Sequence, residues 1–297
     1  VCASEQNAYC AEPNIADMLP VTLGLLVAIV LGISLGRFRW SSGTRALRAR
    51  LESARLSTGP KVFDREELAN ATAPVQRFFQ RVFENGQPIV AAVCVEHTGT
   101  FNMGVAADRW KPFTSTQRVV TRRPGFDWNA RIAMAPGIPV LVHDAYVEGE
   151  GTLHAAVFGL ISVAKVHGRG DVAQGELMRF LAEAAWYPTA LLPGQGVIWD
   201  AVDDHSARAT LKDGDLTLTL LFRFNEEGLI DSVFAESRAQ LVAGVVTHAP
   251  WQCRFWNYAT RGGMRVPMDG EAAWIGPKGL KPYFRGHITQ LNYEFVQ

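Results

Sequence analysis

Glu176, Arg179 and Glu183 fall at i, i+3 and i+7 of a helix-forming stretch and so share one side of it. A guanidinium between two carboxylates can serve in two ways. On a solvated face it is a salt ladder, contributing about 0.2–0.5 kcal/mol per pair. Turned toward a cavity, it would pair with the head group of a ligand. Spacing alone leaves both readings open. Trp186, Tyr187 and Leu191 follow directly, where Pro188 forces the helix to end. They make an apolar loop that could act as a lid over such a cavity, so these six residues are the candidate ligand-binding set.

Other chemistry is sparse. Asp203-Asp204-His205-Ser206 gathers two carboxylates, an imidazole and a hydroxyl, but four consecutive residues cannot converge on one point, and Asp and Ser favour turns. Glu96-His97 and His143-Asp144 are neighbours on strand-like runs, so each pair sends one side chain to either face. An enzyme of unrecognised type would have to use His97, His143 or Asp203. No G-x-S-x-G elbow, P-loop or dinucleotide fingerprint occurs, and no cofactor is indicated. Cys2, Cys10, Cys94 and Cys253 include no C-x-x-C spacing, which argues against a zinc site or redox dithiol. Cys2 and Cys10 could pair or stay as thiols, while Cys94 and Cys253 read as buried and inert.

The elements that must position these residues change character along the chain. Asp64-x-x-Glu67 reads as a capping box. Thr72 then caps a helix whose Val75, Phe78, Phe79, Val82 and Phe83 form one aromatic face. From Ile89 the period becomes two. Strand-like runs recur at 89–99, 114–122, 126–134, 140–148, 152–161, 207–211, 216–224, 229–236, 251–259, 270–275 and 283–295, with Gly or Pro breaks between them. One helix, Asp171–Tyr187 with Asp171 as its cap, interrupts the series. Leu216, Leu218, Leu220, Phe222 and Phe224 should share a buried face, with Thr217, Thr219 and Arg223 pointing away. About eleven strands without helices between them predict an α+β, mostly β fold: one large curved antiparallel sheet, an unclosed barrel with a few packed helices. The aromatic 72–83 helix and the 171–187 helix are the available plugs for its hollow. If they leave a gap, it should lie near Trp186, Tyr187 and Leu191. Aromatics are dense from Trp251 to Phe295, as core or as lining for an apolar ligand.

Ahead of this domain, Met18 to Gly36 is an uncharged, apolar run of nineteen residues. As a helix it is about 28 Å long, close to the ~30 Å hydrocarbon core of a bilayer. No positive residue precedes it, so it reads as an uncleaved transmembrane helix rather than a signal peptide. Val1 in place of Met suggests a missing upstream piece or an alternative start codon. The expected organisation is a polar tail (1–17), a transmembrane helix (18–36), a basic juxtamembrane segment and linker (37–60), and a β-rich domain (61–297). Thr44–Leu56 places Leu47, Leu51 and Ala54 on one face, for contact with lipid head groups or as a continuation of the membrane helix. Six arginines between residues 37 and 55, against none before the helix, put the domain in the cytoplasm by the positive-inside rule. The formal net charge of zero leaves no electrostatic footprint for nucleic acid.

Three stretches resemble a family of uncharacterised bacterial membrane-anchored proteins: Ala73–Phe79, Gly175–Pro193, and Pro250-Trp251 with Tyr258 and Gly270–Trp274. That family carries a domain of unknown function and implies no activity. The tail, with Tyr258, Gly262-Gly263 and Val266-Pro267, is similar to the periplasmic lipoprotein-carrier fold, an unclosed barrel that holds lipid beneath helices. This second resemblance implies a domain outside the cytoplasm. Together these readings give a membrane-anchored binding or carrier module for an apolar or lipid-like ligand. Its partners would be the bilayer and a hydrophobic small molecule, with an enzyme or a protein-interaction scaffold as alternatives.

Overall fold

The structure, a computed structural model, describes residues 15–56, 59–104, 107–242 and 244–297, with side chains from residue 19 onward. Cys2, Cys10 and the polar tail lie outside the described residues. Thirteen strands form one antiparallel sheet built as two wings. The first wing is β1 (Val90–Asn102), β2 (Trp110–Val120), β3 (Gly125–Ala135), β4 (Ile138–Val147), β5 (Glu150–Val157) and β6 (Ile161–Gly168). The second is β7 (Ile198–Asp203), β8 (Ser206–Asp213), β9 (Leu216–Phe224), β10 (Ile230–Val242), β11 (Val245–Arg261), β12 (Met264–Gly276) and β13 (Gly279–Phe295). The wings meet where β1 pairs with β13, and β6 and β7 are the sheet's two edges, so the barrel is unclosed.

Period-two patterning explains the curl. On β9, Leu218, Leu220, Phe222 and Phe224 are buried and Leu216 half-buried, while Thr217, Thr219 and Arg223 are exposed, so one apolar row faces the hollow. The run 152–161 is two strands rather than one. Its chain reverses through Phe158 and Gly159 at φ 54° and 72°. A left-handed phenylalanine is too unusual a turn former to be read from sequence. The edge strand β7 is likewise additional to the eleven expected.

Three helices accompany the sheet: α1 (Ile15–Ser53), α2 (Ala73–Val82) and α3 (Asp171–Glu183). Asp64 caps only a short 3-10 turn, and Glu67 reaches Gly194 N at 2.8 Å instead of completing a box. Thr72 is the N-cap of α2 but makes no side-chain cap bond. Gly170, not Asp171, is the N-cap of α3. That helix stops at Glu183 and continues as 3-10 turns, because Tyr187 leaves helical space at φ −138°, just before Pro188.

The basic segment continues α1 without a break and packs on the convex side of the sheet. Gly36, Trp40, Thr44, Leu51 and Ala54 are its buried stripe. Leu51 joins Ala92, Val120 and Val147 in a second small core. Trp40 stacks on His143 at 4.4 Å, and Arg48 reaches Asp127 at 2.8 Å. Residues 36–56 are thus part of the folded unit. In front of them, Leu19–Leu35 is almost wholly exposed apolar helix.

Candidate functional site

α2 and α3 occupy part of the hollow. Phe78 of α2 packs its ring 5.5 Å from Phe224, closing one end. α3 lies across the concave side and touches β4 and β5 of one wing and β9 and β10 of the other. What remains is a cavity of about 1290 Å³. Its wall is mainly apolar: Trp128, Ile132, Val140, Val142 and Leu153 from the first wing, Trp251, Phe255, Trp274 and Phe284 from the second.

Glu176, Arg179, Glu183 and Trp186 all line this cavity, together with Asp144, Arg238 and Cys253. The charged strip of α3 therefore faces inward rather than into solvent. Arg179 contacts Asp144 at 2.5 Å and Glu183 at 2.7 Å, and lies 4.9 Å from the Trp128 ring centre. Gln117 donates to Glu183 at 2.6 Å. Burial would lower the Arg179 pKa, but Glu183 and Asp144 hold the guanidinium firmly charged.

Arg238 donates to the Gly175 carbonyl at 3.1 Å, lies 4.7 Å from the Trp251 ring centre and is 3.7 Å from Glu176. A bulge between Ala235 and Arg238 turns this side chain inward. Simple alternation from Ala235 would have pointed it out. Burial, and then the charge of Asp144, raises the Glu176 pKa well above the usual carboxylate range, against the pull of Arg238 and Arg179. Glu176 Oε2 and Asp144 Oδ1 are buried with no conventional donor among the described residues. A protonated Glu176 resolves this, because one carboxyl can then donate to the other or to a guest. With Glu176 neutral, the two arginines balance Asp144 and Glu183.

Two of the six candidates stand apart from the lining. Tyr187 is fully buried with its hydroxyl donating to Phe180 O at 2.7 Å, and Leu191 is fully buried in the main core. They anchor the α3-to-β7 connection, which is a packed plug and not a lid. Trp186 reaches the cavity between His97 (ring centres 5.0 Å apart) and Phe255 (5.9 Å). Its indole N–H has no partner among the described residues.

Of the remaining polar residues His97 borders this site, whereas His143 and Asp203 lie away from it. His97 is a concave-face core residue 2% exposed, and burial with the nearby Arg179 charge pushes its pKa down to about 3. His143 is on the convex side, between Asp127 at 3.1 Å and Thr44 at 3.1 Å. Asp203 sits at the β7–β8 turn and accepts from His205 N at 2.8 Å. These three residues are on different surfaces and share no site. Cys253 is buried and its thiol pKa is raised by burial, whereas Cys94 is half-buried, 3.5 Å from Arg118. No group of three metal-ligating side chains occurs among the described residues.

Among solved structures, the chain is similar to a DUF1329 family protein from Desulfovibrio piger, with 10% identity over 69% of this chain and 86% of that one and a TM-score of 0.38. It is also similar to a LolA superfamily protein from Nitrosomonas europaea, with 11% identity over 76% of this chain and 96% of that one and a TM-score of 0.39. No curated protein matches the sequence. A family model matches residues 72–293, most of the sheet and both helices that plug it, and the chain thus belongs to the family of unknown function DUF6920.

Proposed function

We propose that this chain is a membrane-anchored binding or carrier module for an apolar or lipid-like ligand held in the hollow of the sheet. The observation that carries this reading is the cavity itself. At about 1290 Å³ it exceeds the range of about 300–1,000 Å³ typical of small-molecule sites. The hollow opens to the outside and admits water, so it is not kept empty and dry. It must therefore hold solvent or a guest, and its aromatic and aliphatic wall favours an apolar guest over water. The Glu176–Asp144–Arg238 cluster offers unpaired carboxyl oxygens and a guanidinium to a polar head group. Neither the enzyme alternative, whose three residues lie apart, nor the scaffold alternative, which needs a filled core, gains support from this geometry.

The 39-residue α1 includes an apolar stretch long enough to span a bilayer. We read it as the anchor. Arg37, Arg39 and the arginines after them favour a cytoplasmic domain.

Native mass spectrometry of the full chain released from nanodiscs, followed by organic extraction, tests the ligand reading. A hydrophobic molecule should co-purify, and Trp186→Ala should weaken its retention while the fold persists. A chain that carries no ligand and binds no environment-sensitive apolar dye would remove the carrier reading. Residues 36–56 cover the convex face, so the test requires a chain that retains them.

A further inference from the structure

We infer that the mouth of the cavity is a bilayer-docking surface, whose hairpin tips sit in the lipid interface so that ligand passes between leaflet and cavity without crossing water. This rests on the reading of α1 as an anchor and of the hollow as a ligand site, and it adds the direction in which the site opens.

The two ends of the sheet differ in chemistry. Antiparallel alternation places the β12–β13, β1–β2, β3–β4 and β5–β6 turns side by side at one end, and each of these hairpins lends residues to the cavity wall. The β8–β9 and β10–β11 hairpins curl toward the opposite end of the first wing, where Asp213 accepts from Tyr146 and His248 meets Asp171. The tips of these four adjacent hairpins expose Ile138 (44%), Ile161 (66%), Val163 (59%) and Leu280 (49%), beside the charged Asp108, Arg109 and Lys278. At the other end the turns are Arg122-Arg123-Pro124, Glu148-Gly149, Asn225-Glu226-Glu227-Gly228 and Arg261-Gly262-Gly263. Single exposed apolar residues are ordinary, but a row of them along an apolar opening marks an interaction surface.

α1 identifies what that surface meets. At the polar end, Leu56 N donates to the Arg122 carbonyl at 3.3 Å. From there the helix climbs the convex face to the apolar end, where Gly36 crosses the β5–β6 turn. A Cβ on Gly36 would be 2.6 Å from Leu160 Cγ, and one on Gly159 would be 2.9 Å from Gly36 O, so only glycines allow this crossing. Beyond it, Leu19–Leu35 projects past the mouth for about 26 Å, close to the ~30 Å of a hydrocarbon core. Arg37 and Arg39 are exposed at the level of the crossing, where arginines reach lipid head groups. When the apolar half of α1 spans a bilayer, the row of tips beside the crossing is held at that bilayer's surface.

The test uses the full chain in phosphatidylethanolamine–phosphatidylglycerol nanodiscs, with photoreactive benzoylphenylalanine in place of Ile161, Ile138 or, as control, Arg261. Irradiation should give phospholipid adducts at 161 and 138 and none at 261. Absence of lipid adducts at both tips, or cross-links to a second copy or another protein in their place, would overturn the proposal. A second arm follows a fluorescent fatty acid. Ile161→Asp combined with Ile138→Asp should slow its uptake from vesicles about tenfold, as expected for lost burial of aliphatic side chains, while binding of the same probe from solution is retained. Equal uptake by the variant and the parent also overturns the proposal. Failure to bind the probe from either source would instead count against the ligand reading, and release of the full chain from membranes by alkaline wash against the anchor. The cross-links judge docking separately from both.

Discussion

His97 and Glu176 belong to the same concave side and oppose folding at opposite ends of the pH scale. The depressed histidine pKa, about 3 against an ordinary 6.5, means the folded chain binds fewer protons than the unfolded one below neutrality. Its contribution is present above 6.5 and is lost as pH falls, by about 2 kcal/mol at pH 5. His97→Phe should therefore flatten the acid side of a denaturation profile taken between pH 8 and pH 5, and an unchanged slope would contradict the burial. Glu176 works the other way. Its raised pKa gives stability that is complete below its ordinary value of 4.5 and declines as pH rises through the elevated one. Glu176→Gln should remove that loss. At this scale sequence spacing put Glu176, Arg179 and Glu183 on one side of a helix, but it could not say which side faces water, because α3 is buried on both. Asp144 was visible only as half of a strand pair. Arg238 was invisible, since a bulge reverses the face that alternation assigns to it.

Among the elements, α1 is the one whose role changes most between sequence and structure. Its stripe of Leu47, Leu51 and Ala54 fits a helix on head groups as well as a helix on a sheet, because both partners reward the same apolar face. The sheet is the partner here: Leu51 is 1% exposed against Val120 and Val147, and Arg50 reaches Glu150 at 3.1 Å. Leu51→Ala should cost about 2–4 kcal/mol in denaturant unfolding of the full chain at fixed detergent, as cavity-forming substitutions do. A helix lying on lipid would lose almost nothing. The strands were far more legible, since period-two rows and Gly or Pro breaks are local signals. The two extra strands escaped because β6 begins after an atypical turn and β7 is a short edge strand whose side chains are mostly exposed.

For the whole molecule, a curved sheet with helices inside it could be read from punctuation and period, whereas the unfilled volume could not. Whether two helices fill a hollow depends on where they dock, and α3 docks across the seam between the wings instead of along the axis. The consequence is that the fold's stability should depend on what the cavity holds. A guest that binds only the folded chain stabilises it by RT ln(1 + [L]/Kd), about 2.7 kcal/mol at a hundredfold excess over Kd. In a domain of this size each kcal/mol shifts the melting temperature by roughly 2–4 °C. Organic extraction of the purified full chain, then return to nanodiscs of defined lipid, should lower the melting temperature by several degrees. Added long-chain fatty acid should restore it in a concentration-dependent way, and a water-soluble short-chain acid should not, because only the long chain can cover the wall formed by Trp128, Val142, Trp251 and Phe284. The same titration on Trp186→Ala should need more fatty acid for the same recovery. A melting temperature indifferent to extraction and to added lipid would mean that water fills the hollow at no net cost, and the cavity would then be only a by-product of how α3 crosses the sheet.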